Sequence, residues 1–330
     1  MSPPLVRLFR SGERPSAGER ERLVARLNEL QGLPALSGVG YEEEITKVRL
    51  ELEALDDLEA STAAWKTVAM ARAQSRPQFL DYIAHLAPDF VELRGDRLGG
   101  DDAAIVGGVG SLDGRAVMLI GHQKGHNLKE RQRCNFGMAR PQGYRKAQRL
   151  ALTAARLNLP IITLVDTPGA SPSIDAERGG QAGAIAQTLR VWTGLAVPTI
   201  AFITGEGGSG GALALALCDR VFMLENAVYS VITPEGCAAI LWRDAAAAPR
   251  AAEALKITAD DLLELGLIDG IVPEPWGGAH GHARTMARRI LKRATEALQD
   301  LEEVSAHDRI RARRQRFLSM GIDAGSGSMD

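Results

Sequence analysis

Residues Thr204 to Cys218 read TGEGGSGGALALALC, with five glycines between Gly205 and Gly211. An apolar run, Pro198 to Ile203, precedes them, and an alanine- and leucine-rich helical pattern follows. Such a run delivers bare backbone N–H groups to the start of a helix. There the helix dipole and the unpaired donors together suit a negative oxygen. No side chain of the run stands out as an acid, base or metal ligand, so the expected chemistry is main-chain stabilisation of an oxyanion. A second candidate wall is Asp166-Thr167-Pro168-Gly169-Ala170, which follows the apolar run Pro160 to Val165. Pro168 fixes one φ angle and Gly169 tolerates a positive one, giving a rigid turn with exposed amides. The two turns lie one strand–helix unit apart and are expected to face one crevice.

Other chemistries fit parts of the same residues. Gly205, Gly207 and Gly210 match the dinucleotide pattern GxGxxG, but the run lies late in the chain with no clear ribose-binding acid about 20 residues on. No Lys follows the glycines, which excludes a P-loop. Gly207 to Gly211 also fit GxSxG, with Ser209 as nucleophile and Asp269 and His280 in the chain order of an α/β-hydrolase triad. Against that, an elbow follows its strand at once, and here Thr204 to Gly208 intervene. The bland alternative is close helix–strand packing. The segment Gly121 to Arg145 carries His122, Gln123, Lys124, Gly125, Lys129, Arg131, Arg133, Arg140 and Arg145. It reads either as a phosphate- or carboxylate-binding loop or as a solvated one. His122 and His126 lack companions for a metal site. The basic C-terminal pattern (Arg284, Arg288, Arg289, Lys292, Arg293) interleaves with Met286, Ile290, Leu291 and Leu298 as an amphipathic surface helix. It has no aromatic interleaving for nucleic acid.

The elements that position these residues follow from periodicity. Helices are expected at Ser16 to Leu30, at Tyr41 to about Ala73 and at Gln78 to Leu86. Ala104 to Ser111 and Arg115 to Gly121 form a hairpin around Leu112-Asp113-Gly114. Pro141 to Leu157, Ala176 to Leu195, Ala245 to Leu255 and Thr258 to Leu265 read as helices, and Thr233-Pro234 starts another. Arg220 to Leu224, Ala227 to Ile232 and Leu267 to Val272 read as strands. Residues His280 to about Arg316 read as helical, and Gly321 to Asp330 carry no periodic pattern. Alternating strands and helices mean a mainly parallel α/β core, with its site at the strand C-termini. The expected division is an N-terminal helical region at 1–95, a core at 96–279 and a C-terminal extension at 280–330. The chain has 330 residues, 45% of them hydrophobic, and a net charge of −2. That balance gives no cause to expect nucleic acid or membrane partners. Three cysteines without a CxxC signal neither zinc nor disulfides. No 18-residue apolar run or signal-peptide pattern occurs, and a cytoplasmic protein is expected.

Taken together, these residues resemble the α subunits of bacterial acetyl-CoA carboxylase carboxyltransferase. The resemblance rests on Ala104 to Gly108, Gly121-His122-Gln123-Lys124-Gly125, Asn135 to Met138, Gly143 to Ala147, Asp166 to Ala170, Gly205 to Ala212, Ser230 to Cys237 and Glu274 to His280. It implies a crotonase-like (ClpP/crotonase) α/β fold, a superhelix of ββα units with N-terminal and C-terminal helical extensions. It further implies a β-subunit partner bearing a zinc ribbon, in an α2β2 assembly with the active site shared between α and β. Carboxybiotin on a separate biotin carboxyl carrier protein would give its carboxyl group to acetyl-CoA. The product would be malonyl-CoA, the first committed step of fatty acid biosynthesis, and biotin carboxylase would be a further partner. Gly210 and Gly211 would supply oxyanion amides, Gly207 and Gly208 would shape the approach, and Gly169 and Ala170 would face them. Lys124 and Arg178 would orient carboxylate or phosphate, and no metal is expected in this chain. The oxyanion could be that of the thioester or that of biotin. Leu213 stands where hydratases of this fold carry a Glu, which argues against hydratase chemistry. Ser171-Pro172-Ser173 departs from the family's Tyr-Pro-Gly, and an extra glycine precedes Gln181. That departure is the one support for a non-catalytic, regulatory relative.

Overall fold

The computed structural model describes residues 19–32, 41–42, 44–50, 52 and 63–321. The expectations for the first residues, for much of 41–62 and for 322–330 fall outside them. The strands are β1 (Val91–Glu92), β2 (Ile105–Leu112), β3 (Arg115–His122), β4 (Ile161–Thr167), β5 (Thr199–Gly208), β6 (Arg220–Leu224), β7 (Val228–Ser230) and β8 (Gly270–Val272). They form one sheet in the order β1-β2-β3-β4-β5-β6-β8, with β7 pairing β5 beyond the end of β6. The β2–β3 hairpin turns at Asp113-Gly114, both at positive φ, as a tight primed turn requires. From β3 onward every pairing is parallel. Buried parallel strands need apolar side chains on both faces, and β4 (IITLVDT) is buried along its whole length.

The helices are α1 (Glu19–Gly32), α2 (Ala63–Ala71), α3 (Phe79–Leu86), α4 (Leu128–Arg133), α5 (Pro141–Arg156), α6 (Ile174–Arg178), α7 (Gln181–Trp192), α8 (Ser209–Ala216), α9 (Pro234–Trp242), α10 (Ala248–Ala254), α11 (Ala259–Glu264), α12 (Ala283–Glu302) and α13 (Ala306–Ser319). The single helix expected over 176–195 is two, broken at Gly179-Gly180, and the C-terminal helix is likewise two. Helices α5 and α7 pack on each other, α8 packs on α7 and β4, and α12 packs on α3. Their apolar faces join the sheet in one core that includes Phe79, Tyr144, Leu150, Trp192, Phe202 and Ile290.

The last helix is locked by charge as well as by apolar contact. The Arg313 guanidinium, fully buried, donates to both Asp219 oxygens at 2.8 and 2.7 Å and to the Trp192 and Leu195 carbonyls. Asp219 in turn accepts from Thr199 N at 2.8 Å and Thr199 Oγ1 at 2.9 Å. Each buried charge therefore has its partners, which is what makes it tolerable in the core. The same network fixes where β5 starts, and β5 carries the glycine run.

Candidate active site

The glycine run is not a loop. β5 runs straight through Gly205 to Gly208, and α8 starts at Ser209, which takes φ +54° at the junction. Gly208 is the N-cap of α8 and offers no side chain, so no side-chain cap occupies the helix start. The amides of Gly210 and Gly211 lie in the first turn, where a helix has no acceptor of its own. On the adjoining strand, β4 ends at Thr167, whose Oγ1 donates to Gly169 O at 2.7 Å and accepts from Gly169 N at 3.1 Å. That clamp sets Pro168-Gly169-Ala170 as a rigid turn.

The two turns touch. A Cβ on Gly208 would lie 2.1 Å from Pro168 O, and one on Gly211 would lie 2.6 Å from Ala170 N. Glycine is required at both positions for close approach, at ordinary φ. Gly210 differs, since a Cβ there would meet only Ile185, at 3.8 Å. Gly208 and Gly211 therefore meet the Pro168-Gly169-Ala170 turn directly, while Gly207 faces Tyr229 and Ile203 and Gly210 faces Ile185.

Cavities open on either side of this junction. One of about 630 Å³ carries a cluster of charged side chains, being lined by Arg72, Arg76, Lys124, Asp166, Pro168 and Glu206 among others. Another, of about 370 Å³, is apolar and reaches Ser209 and Gly210 from Leu213, Tyr229, Leu262 and Phe317. Lys124 stands at the first, but not as a free cation. Its Nζ is 2.6 Å from Asp166 Oδ1 and 2.8 Å from Glu206 Oε2. Burial opposes the charge on Lys124, and the two carboxylates outweigh it and raise the ammonium above its usual range. Burial would likewise raise Glu206, yet Lys124 and Arg72 hold it down to about 2. Two carboxylates already face Lys124, which weighs against its expected role in orienting a substrate anion. Arg178 is exposed at the end of α6 and lines neither of these cavities. Its expected role has no support in the geometry.

The residues the sequence did not flag are the ions around Lys124. Arg72 donates from Nε to Glu206 Oε1 at 2.7 Å and pairs through NH1 with Glu235 Oε1 at 2.5 Å. Arg76 is buried against Glu274 and donates to Thr204 O at 2.6 Å. Partners more than 120 residues apart leave no periodic trace. Glu206, an acid within an apolar-flanked glycine run, was the one local signal that could have pointed to them.

The competing readings separate here. Because β5 reaches Gly208, Ser209 does follow its strand directly, contrary to the sequence-based objection to a nucleophile elbow. The rest of a triad is missing. Asp269 accepts from Val221 N at 2.7 Å and pairs with Arg316 at 2.5 Å, and both ring nitrogens of His280 are buried without a partner among the described residues. The dinucleotide reading fails because Gly205 to Gly208 are strand. Among the described residues no group of three His, Cys, Asp or Glu could hold a metal, and no helix is long and apolar enough to cross a membrane. In the basic segment, Arg145 pairs with Asp96 at 2.9 Å, whereas Lys129 and Arg133 are exposed. Ser171 is buried and Ser173 Oγ accepts from Ala176 N, so the altered turn is a built cap for α6.

Two buried histidines predict an acid-labile fold. Burial depresses His122 to about 3 and His280 to about 4, from an ordinary 6.5. The unfolded chain binds protons at these sites from pH 6.5 downward and the folded chain does not. Stability therefore falls as pH drops from 6.5 toward 4, with a slope of about 1.4 kcal/mol per pH unit for each histidine. Urea unfolding across that window checks this, and a flat profile contradicts it.

Comparison with known proteins sets this geometry in a lineage. Residues 18–321 match the family model described as acetyl co-enzyme A carboxylase carboxyltransferase-like. The chain is 50% identical over 303 residues to the acetyl-coenzyme A carboxylase carboxyl transferase subunit alpha of Geobacter metallireducens, covering 92% of this chain and 94% of that one. The Thermus thermophilus protein of the same name is 50% identical over 307 residues, covering 92% and 96%. A Salinispora arenicola protein named subunits beta/alpha is 54% identical over 258 residues, 78% of this chain and 46% of that one. Among solved structures, a Pseudomonas malonate decarboxylase hetero-tetramer in complex with coenzyme A superposes with a TM-score of 0.58 at 20% identity, covering 74% of this chain and 96% of that one. Transcarboxylase 12S superposes with a TM-score of 0.53 at 21% identity, covering 67% and 42%. These structures share the crotonase-like α/β fold expected from the sequence.

Proposed function

The chain belongs to the acetyl-CoA carboxylase carboxyltransferase α-subunit family, and from that premise we propose that it supplies the α half of an active site that carboxylates acetyl-CoA to malonyl-CoA. The observation that carries the proposal is the uncapped start of α8 pressed against the Pro168-Gly169-Ala170 turn. Removing a proton from the thioester methyl puts negative charge on the thioester oxygen. Releasing the carboxyl group from its carrier puts negative charge on a ureido oxygen. Amides of Gly210 and Gly211 suit either oxyanion, and each donor of this kind is worth roughly 10²–10³ in rate. Biotin on its carrier protein brings the carboxyl group and a ureido nitrogen able to accept the methyl proton. That removes the need for a side-chain base, which is consistent with Leu213 lining the apolar cavity where a hydratase would need an acid. The apolar wall lowers the local dielectric beside the junction, which strengthens the amide dipoles. Lys124 and Arg72 serve Glu206 and Asp166 and hold the strand that carries the glycines.

The partner is a carboxyltransferase β subunit, with zinc on that subunit and an α2β2 assembly. The Salinispora arenicola relative, whose name joins beta and alpha, has more than half of its length left over for such a partner. The carrier protein and biotin carboxylase complete the system, in the cytoplasm, feeding fatty acid synthesis. The test is malonyl-CoA formation from acetyl-CoA and carboxylated carrier, with this chain alone and mixed with its β subunit. Product only in the mixture is the expected result. Product from this chain alone, or none from a stable mixture, overturns the reading.

A further inference from the structure

We propose that Arg72 is a positioning residue that sets the glycine strand against the start of α9 and thereby aims the oxyanion amides. The inference rests on the carboxyltransferase reading for its kinetic arm alone. Arg72 follows directly on α2, a helix seated by Ala64, Val68 and Ala71 on Val228, Ala252 and Ile257. Val228 belongs to β7 and is paired in register with Glu206. The guanidinium therefore comes from a fixed platform beside the strand it holds.

One end of the fork, Nε, binds Glu206 at 2.7 Å, and the other pairs in bidentate fashion with Glu235 at 2.5 and 3.2 Å. Glu206 immediately precedes Gly207-Gly208, and its own N–H donates to Asp166 Oδ1 at 2.9 Å. Glu235 lies in the first turn of α9, where Thr233 Oγ1 caps the helix. Arg72 thus joins three pieces of backbone: the strand bearing the glycines, the Asp166 strand through Glu206, and the Thr233-Pro234 turn. These pieces also surround a small cavity lined by Arg72, Pro168, Gly207, Gly208, Thr233 and Pro234.

The arrangement favours positioning over bulk stability. The Glu235 side chain is 40% exposed, and ion pairs that open to water contribute little to folding. Their geometric effect is larger. A planar fork with several donors fixes the relative placement of two carboxylates more rigidly than a freely rotating ammonium does. The residue touches no amide of Gly210 or Gly211, so it acts through Glu206.

The experiment uses Arg72→Met and Arg72→Lys, with Leu112→Ala as a control that loosens the core at the β2–β3 hairpin without touching α2 or the ions. In the complex with the β subunit, Arg72→Met lowers kcat by about 100-fold, the effect of a small misplacement at a reacting centre. KM for acetyl-CoA and for carboxylated carrier stays within about twofold. Arg72→Lys recovers part of kcat because it reaches one carboxylate but does not bridge both. In the isolated chain, amide hydrogen exchange of residues 207–211 quickens in Arg72→Met while β4 stays protected. Leu112→Ala leaves both readouts near wild type. An unchanged kcat, unchanged exchange at 207–211, or exchange that rises equally in β4 overturns the proposal. If the wild-type complex makes no malonyl-CoA, the functional reading fails, and exchange at 207–211 still decides the role of Arg72.

Discussion

Gly211→Ala is expected to lower turnover by about 10²–10³-fold, whereas the same change one residue earlier, Gly210→Ala, costs less than about tenfold. The contrast follows from what a single Cβ would meet. At Gly211 it falls 2.6 Å from Ala170 N and 3.0 Å from the Tyr144 hydroxyl, so the helix start and the Pro168-Gly169-Ala170 turn must part. Neither contact has a flexible end that can swing away, since Tyr144 is fully buried. Amides that must sit about 3 Å from a developing oxyanion then miss it. At Gly210 the Cβ meets only Ile185 at 3.8 Å, φ is ordinary, and the amide stays in place. Steady-state malonyl-CoA formation by the two variants, each complexed with the β subunit, reads the difference. Circular dichroism and thermal melting establish that Gly211→Ala still folds, because overpacking of this kind costs about 1–3 kcal/mol. Equal activities for the two variants would remove the junction from the mechanism.

Much of this junction was legible in the sequence because its causes are local. An apolar run followed by glycines and then an alanine-rich pattern can only be strand, close contact and helix, and Asp-Thr-Pro-Gly at a strand end can only be a turn. The hairpin at Asp113-Gly114 and the cap at Thr233-Pro234 were legible for the same reason. Boundaries failed where the tertiary context decides. Gly205 to Gly208 look like a loop by propensity, yet pairing with β4 on one side and β7 on the other makes them strand. The pairing of the charged residues around them was hidden for a different reason. Lys124 looks like a ligand for a substrate anion because it sits in a basic segment, but folding brings Asp166 and Glu206 to it from 42 and 82 residues away. Arg72 and Arg76 belong to the expected N-terminal helical region, and nothing in their neighbourhood announces Glu206, Glu235 or Glu274. Ion pairs between distant segments are set by topology, which composition and periodicity do not encode.

That topology makes Lys124→Met the most damaging substitution at the site. With the ammonium removed, Asp166 and Glu206 face each other with side chains only 5% and 12% exposed, and Arg72 reaches one of them. Breaking a buried pair from one side costs about 3–5 kcal/mol, because the charge left behind is unpaired. The pH dependence distinguishes this cause from lost packing. In the wild type Glu206 lies at about 2, below its ordinary 4.5, so its stabilisation is complete above 4.5 and disappears as pH falls toward 2. In Lys124→Met the desolvation of Glu206 is no longer offset by the ammonium, and the carboxyl pair takes up a proton at higher pH in the folded state than in the unfolded one. The sign then reverses, and the penalty is greatest at neutral pH and shrinks as pH falls. Adding Glu206→Gln to Lys124→Met removes one of the two facing charges and restores part of the lost stability. The same Glu206→Gln change in the wild-type background is destabilising. Urea unfolding of the four proteins as a double-mutant cycle reads this coupling directly. Additive losses with no pH dependence would mean that Lys124 serves only as packing. A reversed sign in the two backgrounds would establish that its charge exists to hold the two glycine-bearing strands together.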